Sequence, residues 1–88
     1  MGPRGPFFMA YCAYVLKRQA TGKLYKGVSQ NIALRIQQHN ADLSPYTRGR
    51  GPWELVYLEA YQSRAEALNR EKFFKSGKGR EFLKSIIE

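Results

Sequence analysis

Two runs rich in aromatic and β-branched residues, 9–18 (MAYCAYVLKR) and 24–28 (LYKGV), are separated only by Gln19-Ala20-Thr21-Gly22-Lys23. A connection this short has no room for a crossover helix, so the runs can pair only as an antiparallel hairpin. Gly22 offers the positive φ such a turn requires.

Beyond the hairpin, residues 30–40 contain neither Gly nor Pro and predict a helix, with Ser29 as N-cap, Ile32 and Ile36 as its apolar stripe and Asn40 as its stop. Residues 41–52 (ADLSPYTRGRGP) have the composition of a surface loop. Residues 53–61 (WELVYLEAY) predict a third strand, the most apolar, which places it inside the sheet. Ser63-Arg64-Ala65-Glu66 fits a capping box and opens a helix to about Ser76, with Gly77 closing it and Gly79 a second break. Phe82, Leu83, Ile86 and Ile87 predict a short terminal helix over 80–87. The order β-β-α-β-α-α describes an α+β domain, a small antiparallel three-stranded sheet flanked by helices. Residues 1–9, broken by Gly2, Pro3, Gly5 and Pro6, read as a flexible lead-in, leaving 10–88 as the domain.

At 88 residues the chain can hold one small core. Fifteen Lys and Arg against seven Asp and Glu give a formal charge of +8. Solubility accounts for part of that bias, and an anionic partner, nucleic acid first, accounts for the rest. No stretch has the basic amphipathic pattern of a membrane-surface helix, and none approaches the roughly 20 apolar residues of a membrane span. Cys12 is the lone cysteine, so no internal disulfide or zinc cluster can form. It reads as a buried small hydrophobe, in keeping with a reducing compartment.

Several chemistries are absent. There is one histidine, His39, and the acids Asp42, Glu54, Glu59, Glu66, Glu71, Glu81 and Glu88 are scattered, most at exposed-looking positions. A two-metal centre needs convergent carboxylates. No phosphate-cradling glycine loop and no G-x-S-x-G is present. Glu71 stands out because Ala67, Leu68 and Phe74 lie at helical spacing around it, which sets it on an apolar face. A carboxylate there needs a partner, and either Lys75 at i+4 or a metal ion would serve. Arg35 and His39, four apart, share one side of the first helix. A solvated arginine and a hydrogen-bonded edge-of-core histidine fit that spacing, as does a functional pair. Tyr14 and Tyr25 lie on the two hairpin strands, where tyrosines commonly serve packing; whether they share a face depends on register.

Together these positions form a pattern: Ala13-Tyr14-Val15, then Tyr25-Lys26-Gly27, then Arg35 ten residues after Tyr25 and His39 four after that, with Glu71 in the later helix. The pattern resembles the GIY-YIG nuclease family, small single-domain bacterial members related to the UvrC nuclease domain above all. T-R-G-R-G-P-W before the third strand and A-L-x-R-E-K-x-x-K-S-G-K-G near the end strengthen it, and it covers nearly the whole chain. Departures are Cys12-Ala13 and Lys26 at non-catalytic letters, Ser29 and Asn31 at the helix start, and no asparagine after Asn69.

The resemblance implies a metal-dependent endonuclease that hydrolyses phosphodiester bonds in DNA, with RNA left open. Its pathway would be repair or recombination, its specificity weak or structure-based, its place the bacterial cytoplasm. It assigns Glu71 to one Mg²⁺ (or Mn²⁺), which suits a single carboxylate completed by waters. Arg35 would neutralise a phosphate oxygen, Tyr25 would act as general base, and Tyr14 and His39 would orient the water or relay its proton. Phenols titrate near pH ~10 in water, so the base role calls for nearby cations such as the metal, Lys26 or Lys17. Nucleic-acid binding would rest on Lys26, Arg48, Arg50, Lys75, Lys78 and Arg80, with Arg70, Lys72 and Lys84 beside them. A protein partner or a homodimer would restrain so unselective a nuclease. The alternative is a catalytically weak nucleic-acid-binding module or accessory subunit on the same scaffold.

Overall fold

The computed structural model describes residues 10–41 and 51–87. The lead-in at 1–9, Asp42, Arg48, Arg50 and Glu88 lie outside the described residues. The elements are β1 (Tyr11–Arg18), β2 (Leu24–Ser29), α1 (Ile32–Asn40), β3 (Trp53–Tyr61), α2 (Arg64–Phe74) and α3 (Gly77–Ile87). The fold is the α+β arrangement that the sequence predicts, with one antiparallel sheet in the order β2-β1-β3.

The hairpin closes as its spacing requires. Gly22 takes φ 79°, and its N–H donates to the Arg18 carbonyl at 2.7 Å. The strand pairing runs from Lys17 opposite Leu24 to Cys12 opposite Ser29.

The third strand is not inside the sheet. β1 holds the centre and β3 an edge. The central strand is the one whose residues from Cys12 to Leu16 are all buried, by at least 94%. β3 misleads because a bulge splits its apolar residues between the two faces. Val15 pairs with Tyr57 but Leu16 pairs with Leu55, which leaves Val56 as the extra residue and reverses the alternation. Trp53 and Leu55 therefore join Tyr14, Leu16, Ile32 and Ile36 on the α1 face. Tyr57 and Tyr61 join Ala13, Val15, Phe74 and Leu83 on the face covered by α2 and α3.

The first helix begins later than Ser29. That serine still belongs to β2, paired with Cys12, and its hydroxyl accepts from the Asn31 N–H at 3.0 Å. Asn31 is the N-cap: its side-chain oxygen accepts from the Leu34 N–H at 3.1 Å. The capping box of α2 forms as predicted, with Ser63 Oγ accepting from the Glu66 N–H at 3.2 Å.

Gly77 and Gly79 do not break the chain; both lie inside α3, and α2 ends at Phe74. Ser76 makes the corner. Its hydroxyl donates to the Phe73 carbonyl at 2.6 Å and accepts from the Gly79 N–H at 3.1 Å, capping the new helix. Gly79 is there because the helices touch: a Cβ on it would sit 1.7 Å from the Phe73 carbonyl oxygen.

Arg70, expected beside the nucleic-acid-binding residues, is part-buried and ion-paired within the fold. Its guanidinium bonds Glu59 at 2.7 and 3.2 Å and lies 4.5 Å from the Phe73 ring centre. Burial opposes charge on Glu59, but hydrogen bonds from Arg70, Tyr57 and Tyr61 outweigh it and hold the carboxyl below its ordinary range.

Gly79→Ala should lower the urea midpoint by the equivalent of about 1–3 kcal/mol or more, because backbone cannot yield as a side chain does. Gly77→Ala, with nothing within 4 Å of its Cβ, should leave the midpoint unchanged or slightly higher. Equal midpoints for the two variants would refute the close-approach account of Gly79.

Candidate active site

The site begins at Tyr14, in the middle of the central strand and fully buried. A buried phenol must satisfy its hydroxyl. Across the ladder Tyr14 faces Gly27, where the ring occupies the space a side chain would need: a Cβ on Gly27 would meet the Tyr14 hydroxyl at 2.5 Å. The ring thus lies over β2 toward α1. There His39 Nε2 stands 2.9 Å from the hydroxyl and Arg35 Nε donates to it at 3.3 Å.

The protonation states come from the surroundings. Burial, with the Arg35 charge adding to it, lowers the His39 pKa from 6.5 to about 4, so the ring is neutral at physiological pH. Burial pushes the Tyr14 hydroxyl above its ordinary value; the Arg35 hydrogen bond opposes this, and the charges of Tyr25 and Glu71 add to it. With both groups neutral, the Tyr14 hydroxyl and His39 Nε2 share one hydrogen bond whose direction follows the histidine tautomer. The hydroxyl also accepts from Arg35, whose guanidinium is held above its ordinary value first by that bond and further by Tyr25.

Register settles the face question. Tyr25 pairs with Leu16, two places along from Gly27, so both tyrosines lie on the α1 side. Tyr25 is half-buried, with its ring 4.9 Å from that of His39, 6.3 Å from Tyr14 and 6.2 Å from Trp53. Its other flank borders a cleft of about 440 Å³ lined by Leu24, Tyr25, Lys26, Lys75 and Arg80. Burial first, then the neighbouring charges of Arg80 and Lys75, depress the Lys26 pKa.

Glu71 is one-fifth exposed and ion-paired, Oε2 to Lys75 Nζ at 3.2 Å, so the i+4 partner read from the sequence is present. Its field reaches Tyr14. No group of three or more His, Cys, Asp or Glu that could hold a metal occurs among the described residues. The structure thus brings Tyr14, Tyr25, Arg35 and His39 into one cluster and sets Lys26, Lys75 and Arg80 along the adjoining cleft. Lys78 is exposed and does not line that cleft. Cys12 is a buried thiol whose pKa burial raises, so it takes no part.

Two residues at the site are not evident from the sequence. Gln38 Oε1 accepts from Arg35 Nη1 at 3.0 Å and steadies the guanidinium; its i+3 spacing is the one available signal. Asn40, which the sequence marks only as a helix stop, clamps β3 to α1: its Oδ1 accepts from the Trp53 N–H at 2.7 Å and its Nδ2 donates to the Trp53 carbonyl at 3.2 Å. No local signal announces that long-range clamp.

A tyrosine–histidine–arginine cluster on a small α+β sheet, beside a cleft lined by Lys26, Lys75 and Arg80, defines a class of site whose charge suits an anion. The family model described as the GIY-YIG catalytic domain matches residues 10–84. The chain belongs to the GIY-YIG family, a family of nuclease domains. It is 43% identical over 63 residues to a UPF0213 protein of Clostridium perfringens, covering 70% of this chain and 67% of that one. It is 34% identical over 80 residues to a UPF0213 protein of Staphylococcus aureus, covering 90% and 96%. It is 38% identical over 82 residues to the human structure-specific endonuclease subunit SLX1, covering 81% of this chain but only 30% of that protein. The solution structure of the UPF0213 protein BH0048 from Bacillus halodurans superposes with a TM-score of 0.53 at 35% identity, over 88% of this chain and 84% of that one.

The neutral His39 carries a pH signature. The unfolded chain takes up the histidine proton near pH 6.5, the native one only near 4, so protonation favours unfolding across that window. Stability should fall as pH drops from 6.5 and the effect should level off below about 4. Urea unfolding of wild type against His39→Gln across this range checks it: the variant should lose less, and parallel curves would count against a buried neutral imidazole.

Proposed function

We propose that this protein is a metal-dependent endonuclease that hydrolyses phosphodiester bonds in DNA. The observation that carries the reading is the convergence of Tyr14, Arg35 and His39 on Tyr25, which borders a cleft also lined by Lys26, Lys75 and Arg80. The human relative, named a structure-specific endonuclease subunit, supports a specificity for nucleic-acid shape rather than sequence; the setting proposed with it is repair or recombination.

The donor set fits a hydrated Mg²⁺ or Mn²⁺ ion: one carboxylate, Glu71, partly open to solvent, with the remaining positions left to waters and substrate oxygens. Such an ion supplies Lewis-acid stabilisation of the charge that builds on the phosphate and the leaving oxygen. The chain's own residues do the rest. Lys26, Lys75 and Arg80 draw in the anionic backbone, and a phosphate competes with Glu71 for Lys75. Arg35, fixed by Tyr14 and Gln38, presents its planar donors to a non-bridging oxygen. Tyr25, which borders the cleft, is the general base: its deprotonated oxygen takes the proton of the attacking water. Tyr14 and His39 are closed off from solvent, so they act through others: they hold Arg35 and Tyr25 in position.

One observation favours a second reading. The Glu71–Lys75 pair satisfies the carboxylate without a metal, as it would in a nucleic-acid-binding module or accessory subunit on this scaffold. One experiment separates the two: cleavage of labelled duplex, flap, branched and single-stranded DNA, and of RNA, with Mg²⁺, with Mn²⁺ and with EDTA. Cleavage should need the metal and vanish in Glu71→Ala. Tyr25→Phe should lose at least the roughly 10²–10⁴-fold ascribed to a general base while binding DNA normally. Cleavage that persists in either variant removes that residue from the mechanism. Metal-independent binding without cleavage, for the wild type, selects the binding module. Gel filtration tests whether a homodimer or partner is involved.

A further inference from the structure

The cation-lined cleft does not end at Tyr25. It runs on past Lys26 and Arg80 into a second groove of about 410 Å³, between the β1–β2 turn and α3. Five cations line this groove: Lys17, Lys23, Lys26, Arg80 and Lys84. Its apolar lining is Leu24, Leu83 and Ile87. No acid among the described residues lines it.

The fold builds this concentration of charge from two sides. On the sheet, Lys17 stands opposite Leu24, and Lys26 comes two places on along the same face. Gly22 at φ 79° closes the turn that carries Lys23 back beside Lys17, and the Arg18 N–H to Lys23 carbonyl bond of 2.8 Å fixes its base. On the helix, Arg80, Leu83, Lys84 and Ile87 recur at the i, i+3, i+4, i+7 spacing of one stripe. Leu83 buries itself in the core, while Arg80 and Lys84 come up on either side of it. Arg80 is anchored as well, donating from Nη1 to the Lys75 carbonyl at 3.1 Å. A row of like charges on rigid supports is repulsive until an anion lies in it. The depressed pKa of Lys26, which burial and the charges of Arg80 and Lys75 cause, reports that repulsion at the junction of the two clefts.

We infer that the groove between the β1–β2 turn and α3 is a second binding subsite, in which Lys17, Lys23 and Lys84 hold backbone phosphates of the nucleic-acid strand on one side of the scissile bond. The strand passes Tyr25, crosses Lys26 and Arg80, and leaves along α3. The inference rests on the proposed function for what is bound, but its test does not depend on cleavage. The subsite touches phosphate alone, so it sets affinity and register without reading bases.

The test measures binding of a short fluorescein-labelled DNA duplex in EDTA by anisotropy, over a salt series, for Lys17→Gln, Lys23→Gln, Lys84→Gln and the triple variant. Arg64→Gln, the same charge change at an exposed residue that does not line the groove, is the control. Each groove variant should weaken binding and flatten the slope of log K against log salt by about 0.9 for each phosphate no longer neutralised. The control should keep the wild-type slope, and circular dichroism should show every variant folded. A triple variant with the wild-type slope overturns the subsite, and so does a control that loses as much as each groove variant, because net charge alone then explains the effect. Failure of the wild type to cleave counts against the nuclease reading only, since the binding series still decides the groove.

Discussion

The Tyr14 hydroxyl is the constraint on which the other parts depend. A phenol with no solvent contact must find its partners inside the protein, and here both come from α1: His39 Nε2 at 2.9 Å and Arg35 Nε at 3.3 Å. Those two bonds fix how α1 lies across the sheet. The same ring demands a residue without a side chain at Gly27. Strand pairing, helix placement and the glycine two residues beyond Tyr25 are thus consequences of putting one polar aromatic at the centre of the sheet. Asn40 adds the third point of attachment by clamping Trp53, so β3 is referred to the same helix.

Charge is distributed to match. The hub is neutral inside, a protonated phenol and an unprotonated imidazole, because burial disfavours the ionised form of each. The cation in it, Arg35, lies where Tyr14, Tyr25 and Gln38 can share its donors. On the other side of the sheet the inward-facing acid of β3, Glu59, is consumed by Arg70, Tyr57 and Tyr61. That network pairs one carboxylate with one guanidinium, both part-buried. Among the described residues, the β2 edge is left with a concentration of lysine and arginine opposed by Glu71, which Lys75 already engages.

Much of this is legible in the sequence, and the parts that are not have a common cause. Hairpin, third strand and capping box are local events: a five-residue break with Gly22 in it, a run from Trp53 to Tyr61, a serine three residues before a glutamate. The grouping of Tyr14, Tyr25, Arg35 and His39 is legible only through the resemblance to the GIY-YIG family, because spacing alone leaves packing tyrosines, a solvated arginine and an edge-of-core histidine equally open. The illegible parts are set by contacts between elements. β1 is central because both its edges are paired, which no composition of β3 reveals. The bulge at Val56 sends Trp53 and Tyr57 to opposite faces although their spacing is even. Gly79 looks like a helix breaker in sequence and is a helix contact in space. Arg70 looks like a surface cation until Glu59, eleven residues away in sequence, is brought beneath it.

The position of the second letter in Tyr25-Lys26-Gly27 shows what strand alternation does with this geometry. Alternation sends Tyr25 and Gly27 to the α1 face, where one stands beside His39 and the other makes room for Tyr14. The residue between them must point to the opposite face, toward α2 and α3. An apolar side chain there would extend the core next to Leu24. Lysine instead carries a charge into partly buried surroundings where Arg80 and Lys75 already repel it, which costs stability. A fold of this size has little stability to give up. The cost is borne at the strand position that lines the cleft beside Tyr25, which under the proposed function is where an arriving phosphate would relieve it.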